Sequence, residues 1–201
     1  MDELPLFPLR TVLFPDGLLE LKIFEARYLD LISRCLRERA PFGVVALRSG
    51  SEARGAGADA VQLYEVGTMA TLIDVDSAAA GILLVRCRGG ARFRLGVPRQ
   101  ARDGLWLAAV EPVGADAEVA PAPRHAQLVE RLREAIGALA AQGARPFLPP
   151  HRLAAAGWVA NRWCEILELP LDVRQRLMTL VDPLARLDAV EAALRSRAPN
   201  A

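Results

Sequence analysis

The spacing of the hydrophobic residues changes along this chain, and that change limits the possible folds more than any other feature. Up to about residue 112 the apolar residues form short runs bounded by Gly, Pro, Asp or Ser, which is typical of short β-strands. Beyond about residue 124 they recur every three or four residues, which is the spacing of amphipathic helices. The sequence therefore predicts a β-rich part followed by a helical part, an α+β fold.

The short apolar runs of the first half are predicted as β-strands. Because Pro5 and Pro8 interrupt the first run, we expect that run to form an edge strand at most. The close succession of short strands favours a closed or nearly closed antiparallel sheet, which hides strand edges from solvent. The predicted strands are Leu4–Leu9, Leu18–Lys22, Phe42–Leu47, Val61–Val66, Met69–Val75, Ile82–Cys87, Ala91–Val97 and Leu105–Val110.

One helix is expected within the β-rich half. Apolar residues recur at helical spacing from Phe24 to Leu36, and Pro41 follows the end of this pattern. Phe24 and Tyr28 are then one helical turn apart, so we expect them on the same face. The segment Arg48–Asp59 is rich in Gly, Ala and Ser, and we predict a mobile surface loop there.

The segment Val113–Pro123 is the predicted boundary between the two parts, because it has few large apolar residues and two prolines that hold it extended. We expect a β-rich domain over residues 1–115, a linker over 116–123 and a helical domain over 124–201. Within the helical domain, Asp172 with Gln175 resembles a capping box. Asp182 before Pro183 is predicted to cap the last helix.

The composition argues against several classes of function. The net charge is +1, so no overall field attracts nucleic acid or an anionic membrane. Three cysteines without a CxxC pair and two histidines do not predict a closed zinc site, and no metal or cofactor is expected. Free thiols, an acidic N-terminus and the lack of a long apolar stretch predict a cytoplasmic protein.

Several spaced motifs resemble the amino-terminal domain of Lon proteases, over roughly residues 4–195. They are LPLFPL at 4–9, VLFP at 12–15, IFE at 23–25, Arg27-Tyr28, Gly67-Thr68, Arg88-Gly89, RFR at 92–94 and LPL at 169–171. The resemblance implies a PUA-like, strongly bent sheet or pseudo-barrel with one embedded helix, followed by a C-terminal helical bundle. It also implies a role in recognising polypeptides. Asp16 stands where the family has a glycine after Phe-Pro.

Catalysis is not expected of this sequence. A Lon-type protease uses a serine activated by a lysine amine, and the only lysine, Lys22, lies in a predicted strand where the family position is structural. No phosphate-binding GxxxxGK[ST] motif is present. Cys35 and Cys164 lie on apolar helix faces, which is typical of buried thiols and not of a Cys–His hydrolase.

Four residues of the first motif block are candidates for polypeptide binding: Phe14, Phe24, Arg27 and Tyr28. Aromatic side chains can line an apolar groove, and a guanidinium can hold a carboxylate or a carbonyl oxygen. Each also has a structural interpretation, since aromatic residues at helical spacing usually belong to a core. For Arg27 that interpretation is a salt bridge to Glu25 or Asp30.

Two other binding functions compete with polypeptide recognition. Arg86, Arg88, Arg92 and Arg94 alternate along predicted strands as a basic stripe, which favours an RNA-binding PUA-like protein. A small-molecule pocket at the junction of sheet and bundle is the other alternative. We predict a non-catalytic module that binds unfolded or exposed polypeptide, or one specific protein partner, as an adaptor or chaperone-like factor. The sequence predicts no oligomeric state.

Overall fold

The computed structural model describes residues 3–50 and 61–197. They form two compact units, one within Met1–Gly114 and the other within Ala115–Ala201. No helix of the described residues is long and apolar enough to span a membrane.

The first unit contains nine strands in one sheet and one helix, as far as its residues are described. In chain order these are β1 (Leu4–Leu9), β2 (Leu18–Ile23), α1 (Ala26–Glu38), β3 (Phe42–Ser49), β4 (Gln62–Leu63), β5 (Val66–Ala79), β6 (Ile82–Leu95), β7 (Arg99–Gln100), β8 (Trp106–Ala108) and β9 (Val110–Pro112). The predicted loop Arg48–Asp59 starts later than expected, because Arg48 and Ser49 extend β3. Residues 51–59 of that loop lie outside the described part.

The sheet closes on itself through the last two strands. Its strand order is β2-β6-β5-β3-β1-β8-β7, and β9 pairs with β6. Only Ala109 separates β8, which pairs with β1, from β9, so the ladder returns to β6 and forms a pseudo-barrel. The prediction of a closed or nearly closed sheet agrees with this strand order. The expectation of a purely antiparallel sheet is wrong, because β1 and β3 are parallel.

Strand β1 lies between β3 and β8 in the strand order, so the prediction of an edge strand is wrong for the strand as a whole, although β8 covers only its first half. It pairs with β3 over Leu6–Leu9 and with β8 over Leu4–Leu6. Only Leu6 therefore has a neighbouring strand on both sides. Pro5 and Pro8 each have one neighbour, so the missing N–H of each proline can face the side without a partner.

Strand β6 joins two segments that the sequence pattern predicts as separate strands. It runs through Gly89 and Gly90 in antiparallel pairing with β5, with a register shift opposite Thr68 and Ala70. A Cβ atom at Gly89 would overlap the backbone carbonyl oxygen of Phe14. Gly89 therefore marks a close backbone approach inside a strand rather than a turn between two strands.

The described residues of the first unit form two hydrophobic clusters. Helix α1 buries Tyr28, Leu31, Ile32 and Cys35 in the larger cluster, which also contains side chains of β1, β2, β3, β5 and β6. The smaller cluster is centred on Leu6, Val45, Phe93 and Ala108. Because strands alternate their side chains between faces, adjacent residues of β1 contribute to the two clusters, Leu6 to one and Phe7 to the other.

The second unit consists of α2 (Ala126–Ala141), α3 (Ala156–Ile166), α4 (Leu171–Thr179) and α5 (Pro183–Arg197), with a 3₁₀ turn at Pro123–His125. The prediction for Asp182 is confirmed, because its carboxylate accepts the Leu184 N–H at 2.9 Å at the start of α5. The capping box at Asp172 and Gln175 is wrong. Helix α4 begins after Pro170 without a side-chain cap, and Gln175 is buried.

Residues 116–123, predicted as a linker, lie in the second unit and bond to its helices. The Asp116 carboxylate accepts two hydrogen bonds from Arg186, at 2.6 and 2.9 Å. The carbonyl oxygen of Val119 accepts the N–H of Ala156 at 2.9 Å, at the start of α3. The first half of this segment is therefore fixed by hydrogen bonds to the helices.

Arg186 is fully buried and connects several segments of the second unit. Besides Asp116 it donates to the Asn161 side chain at 2.8 Å and to the Leu177 carbonyl at 2.9 Å, and it also donates to the Leu180 carbonyl. A buried guanidinium is stable only when its N–H groups find acceptors. Arg186 therefore fixes α3, α4 and α5 around residue 116.

We expect Arg186→Met to lower the free energy of unfolding of the second unit by about 3–5 kcal/mol, because it leaves the part-buried Asp116 carboxylate and the buried Asn161 side chain without their donor. Urea unfolding followed by amide hydrogen exchange in α3 and α5 measures this loss. Arg195→Ala is the control. Arg195 is exposed and pairs with Glu191 on the helix surface, so its loss should cost at most about 0.5 kcal/mol. Equal effects of the two substitutions would contradict the role assigned to Arg186.

The contacts of Asp188 make a contribution to the stability of the second unit that we expect to be lost in acid. Both Asp188 oxygens accept from Arg124 at 3.0 Å and one contacts His125 Nε2 at 2.8 Å, which together lower the pKa of Asp188 to about 2. A carboxyl whose pKa is lowered on folding stabilises the folded state above its unfolded pKa, near 3.9. That contribution is lost as the pH falls from about 4 towards 2.

We expect Asp188→Asn to make unfolding of the second unit less dependent on pH between about 4 and 2. Thermal melts across this range, with Asp172→Asn as control, measure the difference. Asp172 is exposed and lies 3.6 Å from its Arg176 partner. If both variants keep the wild-type pH dependence, Asp188 does not contribute to it.

Candidate functional site

A groove of about 250 Å³ lies beside β2 in the first unit. Its apolar side chains come from the end of β1, from β2, from the β2–α1 connection and from α1, and its charged ones come from β2 and the same connection. The lining residues are Phe7, Pro8, Leu9, Glu20, Leu21, Lys22, Ile23, Phe24, Glu25 and Tyr28. We call it the β2 groove. It combines an apolar surface with charged residues, which is typical of a site that binds organic ligands or peptides.

Among the large apolar residues that line the groove, Phe24 is the most exposed. Helix α1 begins at Ala26 with Glu25 as its N-cap, and the Glu25 carbonyl accepts the Leu29 N–H at 3.0 Å. Phe24 therefore precedes the helix. The prediction that Phe24 and Tyr28 share a helical face is wrong. Phe24 directly follows β2 and remains 65% exposed. Both aromatic residues nevertheless line the same groove.

Tyr28 forms part of the base of the groove and is only 4% exposed. Its ring stacks on Phe7, with centroids 3.9 Å apart and planes tilted by 17°. The Arg27 guanidinium carbon lies 4.5 Å from the centroid of the Tyr28 ring. Because these contacts fix the ring, the base of the groove is rigid before any ligand arrives.

Arg27 is engaged in structural contacts. Its guanidinium donates to Glu25 at 3.0 Å and to the carbonyl oxygen of Gly104 at 2.8 Å, and its side chain is buried. The predicted structural role of Arg27, a salt bridge to Glu25, is therefore present. Arg27 ties the start of α1 to the loop before β8 and orients Glu25 at the rim of the groove.

Phe14 lies in the core of the first unit. Its side chain is fully buried, and its carbonyl oxygen contacts Gly89. It does not line the β2 groove, so it could meet a ligand only if the unit opened. Among the four candidates, the structure thus brings Phe24 and Tyr28 together at the groove, places Arg27 beside it and buries Phe14 elsewhere.

Sequence reasoning missed the contribution of β1 and β2 to the groove. Phe7, Pro8 and Leu9 of β1 line it together with Leu21 and Lys22 of β2. The motif LPLFPL, which forms β1, is prominent in the sequence. The position of β1 beside the groove depends on its pairing with β3, however, and local sequence patterns do not predict such long-range pairing. Only the alternation of charged and apolar residues in β2 indicates that one of its faces is exposed.

The arginine stripe does not form one basic surface. Between the pairs Ala70–Gly89 and Thr68–Arg92, β6 contains one more residue than β5. This extra residue reverses the alternation of side chains, so the arginines before and after it lie on opposite faces of the sheet. Arg92 is also buried, and it donates to the Gly114 carbonyl at 2.9 Å.

Carboxylates accompany the remaining arginines of the stripe. The pairs are Arg86 with Glu20 at 3.2 Å, Arg88 with Asp16 at 3.9 Å and Arg94 with Glu65 at 3.4 Å. These partners reduce the positive potential that phosphate binding requires. The geometry therefore gives no support to RNA binding along β6.

The thiols and the carboxylates offer little for catalysis or metal binding. Burial raises the pKa of Cys87 and of Cys164 to about 12, so both thiols are protonated and poor nucleophiles at neutral pH. Within the described residues, His125, Asp188 and Glu191 place possible ligand atoms within 4.8 Å of one another. Both Asp188 oxygens already accept from Arg124, and that cation opposes a metal ion there.

We expect Phe24→Ala to change the free energy of unfolding of the first unit by no more than about 0.5 kcal/mol, because the side chain is mostly in solvent. Phe14→Ala should cost about 3–5 kcal/mol, since it leaves a cavity in the core. Urea unfolding of both variants measures the difference. A large loss of stability in the Phe24 variant would mean that this side chain belongs to the packing and not to an open groove.

Comparisons with known proteins agree with the fold and the motifs. A crystal structure of a Lon N-terminal domain protein from Xanthomonas campestris is 31% identical, covers 96% of this chain and 98% of that chain, and has a TM-score of 0.74. The N-terminal domain of a Mycobacterium avium complex Lon protease has a TM-score of 0.65 over 98% of this chain and all of its own, at 14% identity, which supports the fold alone.

Full-length relatives and a family model give the same assignment. Lon protease 2 of Myxococcus xanthus is 27% identical over 93% of this chain, and the Lon protease of Paraburkholderia phytofirmans is 28% identical over 98%. The chain spans about a quarter of these relatives, 23% and 24% of their lengths. The model of the substrate-binding domain of ATP-dependent protease La (LON) matches residues 3–196. The chain therefore belongs to the LON substrate-binding domain family.

Proposed function

We propose that this chain recognises exposed or unfolded polypeptide at the β2 groove, without catalysis of its own. The observation that carries the proposal is the exposure of Phe24 beside an apolar groove with a rigid base. Unfolded polypeptides expose apolar side chains that a folded protein buries, and these side chains gain free energy by leaving water. A member of a substrate-binding family with such a groove fits this class of ligand.

The chemistry of the groove suits segments of mixed composition. Its base is apolar through Phe7, Leu21 and Tyr28, while Glu20 and Lys22 supply charges of both signs. Apolar contact gives affinity without selecting one sequence, and the charges help to orient the segment. We therefore place the protein as an adaptor or chaperone-like factor that holds polypeptide. A specific folded partner is the alternative occupant.

A cytoplasmic setting completes the proposal. The three cysteines are free and buried. Free thiols are usual in reducing compartments, where disulfides do not persist. The thiols of Cys87 and Cys164 are buried and remain protonated, so they act as small packing groups and not as nucleophiles.

We expect the chain to bind fluorescently labelled, carboxymethylated α-lactalbumin, which is permanently unfolded, and Phe24→Ala to weaken this binding about tenfold or more. Removing a phenyl ring that becomes buried on binding costs roughly 1.5–3 kcal/mol. Fluorescence anisotropy titrations measure the dissociation constants. Leu36→Ala is the matched control, because Leu36 is also an exposed apolar residue but does not line the groove.

Equal weakening by the two substitutions would place the binding site elsewhere. Absence of binding by the folded wild-type chain would overturn polypeptide recognition itself. A structured RNA, titrated at two salt concentrations, completes the comparison. RNA binding that falls steeply with salt, together with no polypeptide binding, would favour the RNA-binding alternative.

A further inference from the structure

Strand β2 is an open edge of the sheet. It pairs antiparallel with β6 over its whole length, from Leu18–Arg88 to Ile23–Leu83, and it ends the strand order of the described residues. Its other side faces the β2 groove, whose lining includes residues 20–24. An open edge carries unused backbone donors and acceptors that can pair with another extended chain.

The register of the ladder identifies which backbone groups are open. The Gly89 N–H donates to the Gly17 carbonyl at 2.9 Å, in the same register as the pairs that follow. Residues that bond to the neighbouring strand alternate with residues that point away from it. Leu19, Leu21 and Ile23 therefore bond to β6. Glu20 and Lys22 direct their N–H and C=O groups towards the open side.

A second open edge lines the same groove. Strand β8 pairs with β1 only over Leu4–Leu6, whereas β1 continues to Leu9. Over Phe7–Leu9, β1 thus has β3 as its neighbour on one side and no paired strand of the described residues on the other. The groove is therefore lined by two strand edges, with the stacked rings of Phe7 and Tyr28 between them at its base.

We propose that polypeptide binds in this groove as an added β-strand, hydrogen-bonded to the open edge of β2 at Glu20 and Lys22. This inference rests on the proposed function and specifies its mode of recognition. The occupant is an extended segment of another protein whose alternate residues are apolar and face the groove. Pairing through the backbone recognises a group that every polypeptide has, so many sequences can bind.

The charges at the edge specify the preferred segment further. Glu20 is paired with Arg86 at 3.2 Å and Glu25 with Arg27 at 2.8 Å. Lys22 is exposed and forms no ion pair with any of the described residues. An acidic residue of the bound segment, placed opposite Lys22, gains a cross-strand pair of opposite charge. The groove therefore favours an apolar segment that contains a carboxylate.

The test compares Lys22→Pro with Lys22→Ala. Proline removes the N–H that points to the groove but leaves the β2–β6 bonds, which the flanking residues form, and proline is tolerated on the open side of an edge strand. Alanine removes only the charge. The probe is the acetylated and amidated peptide Val-Thr-Val-Glu-Val-Thr-Val with a fluorophore on its C-terminal side, titrated by anisotropy. We expect Lys22→Pro to bind at least tenfold more weakly than Lys22→Ala.

A second measurement keeps the test decisive if Lys22→Pro does not fold. Two versions of the peptide carry N-methyl groups on alternate residues, one version on each of the two sets. For a given direction of the bound strand, only one set of N–H groups can face β2 while the valines face the groove, so the two versions should differ at least tenfold in affinity for the wild-type chain. Equal affinity of both versions, or of the proline and alanine variants, overturns strand addition.

The outcomes separate this inference from the proposed function. Polypeptide binding that depends on Phe24 but not on the backbone of β2 would leave the proposed function standing and overturn strand addition. No polypeptide binding would overturn both. A second copy of the chain is the competing occupant, because antiparallel β2 strands can place Glu20 opposite Lys22. A wild-type dimer that Lys22→Pro converts to monomers, measured by light scattering, would overturn the choice of another protein as occupant.

Discussion

Backbone hydrogen bonding at strand edges is the constraint on which the β-rich unit depends. A buried N–H or C=O without a partner costs about as much as a hydrogen bond contributes, so each edge must be paired or must face solvent. The consecutive strands β8 and β9 meet this constraint by pairing with β1 and β6 and closing the sheet. The closure does not include β2, which keeps one neighbour. The edge of β2 at the groove therefore stays open although the barrel is closed elsewhere.

The sequence predicts much of this fold because the local signals agree with one another. Asp182 before Pro183 caps α5 as expected, and the motifs resembling Lon amino-terminal domains match a family model over residues 3–196. The α+β class follows from the change of hydrophobic spacing alone. In these places propensity, capping and periodicity favour the same structure, so one sequence is sufficient.

The errors occur where long-range pairing overrides local preference. Prolines make Leu4–Leu9 resemble an edge strand, yet each of its neighbours covers only part of it. Gly89 and Gly90 resemble a turn, but a close approach of the Phe14 carbonyl explains Gly89 within one strand. Helical spacing also assigns Phe24 to α1, although the helix begins two residues later. The groove depends on these same features, so its full lining could not be predicted from the sequence.

Strand β2 is held in place by its side chains as well as by its pairing with β6. Leu19 and Ile23 are buried in the larger cluster and Leu21 packs against it, while Glu20 and Lys22 are exposed on the other face. A strand anchored in this way keeps its open edge ordered without a second partner, which lowers the entropy lost when a ligand pairs with it. Charged residues on the exposed face also limit indiscriminate pairing with other edges. One strand thus combines a fixed position, an open backbone edge and protection from aggregation, and a groove that holds polypeptide reversibly requires all three.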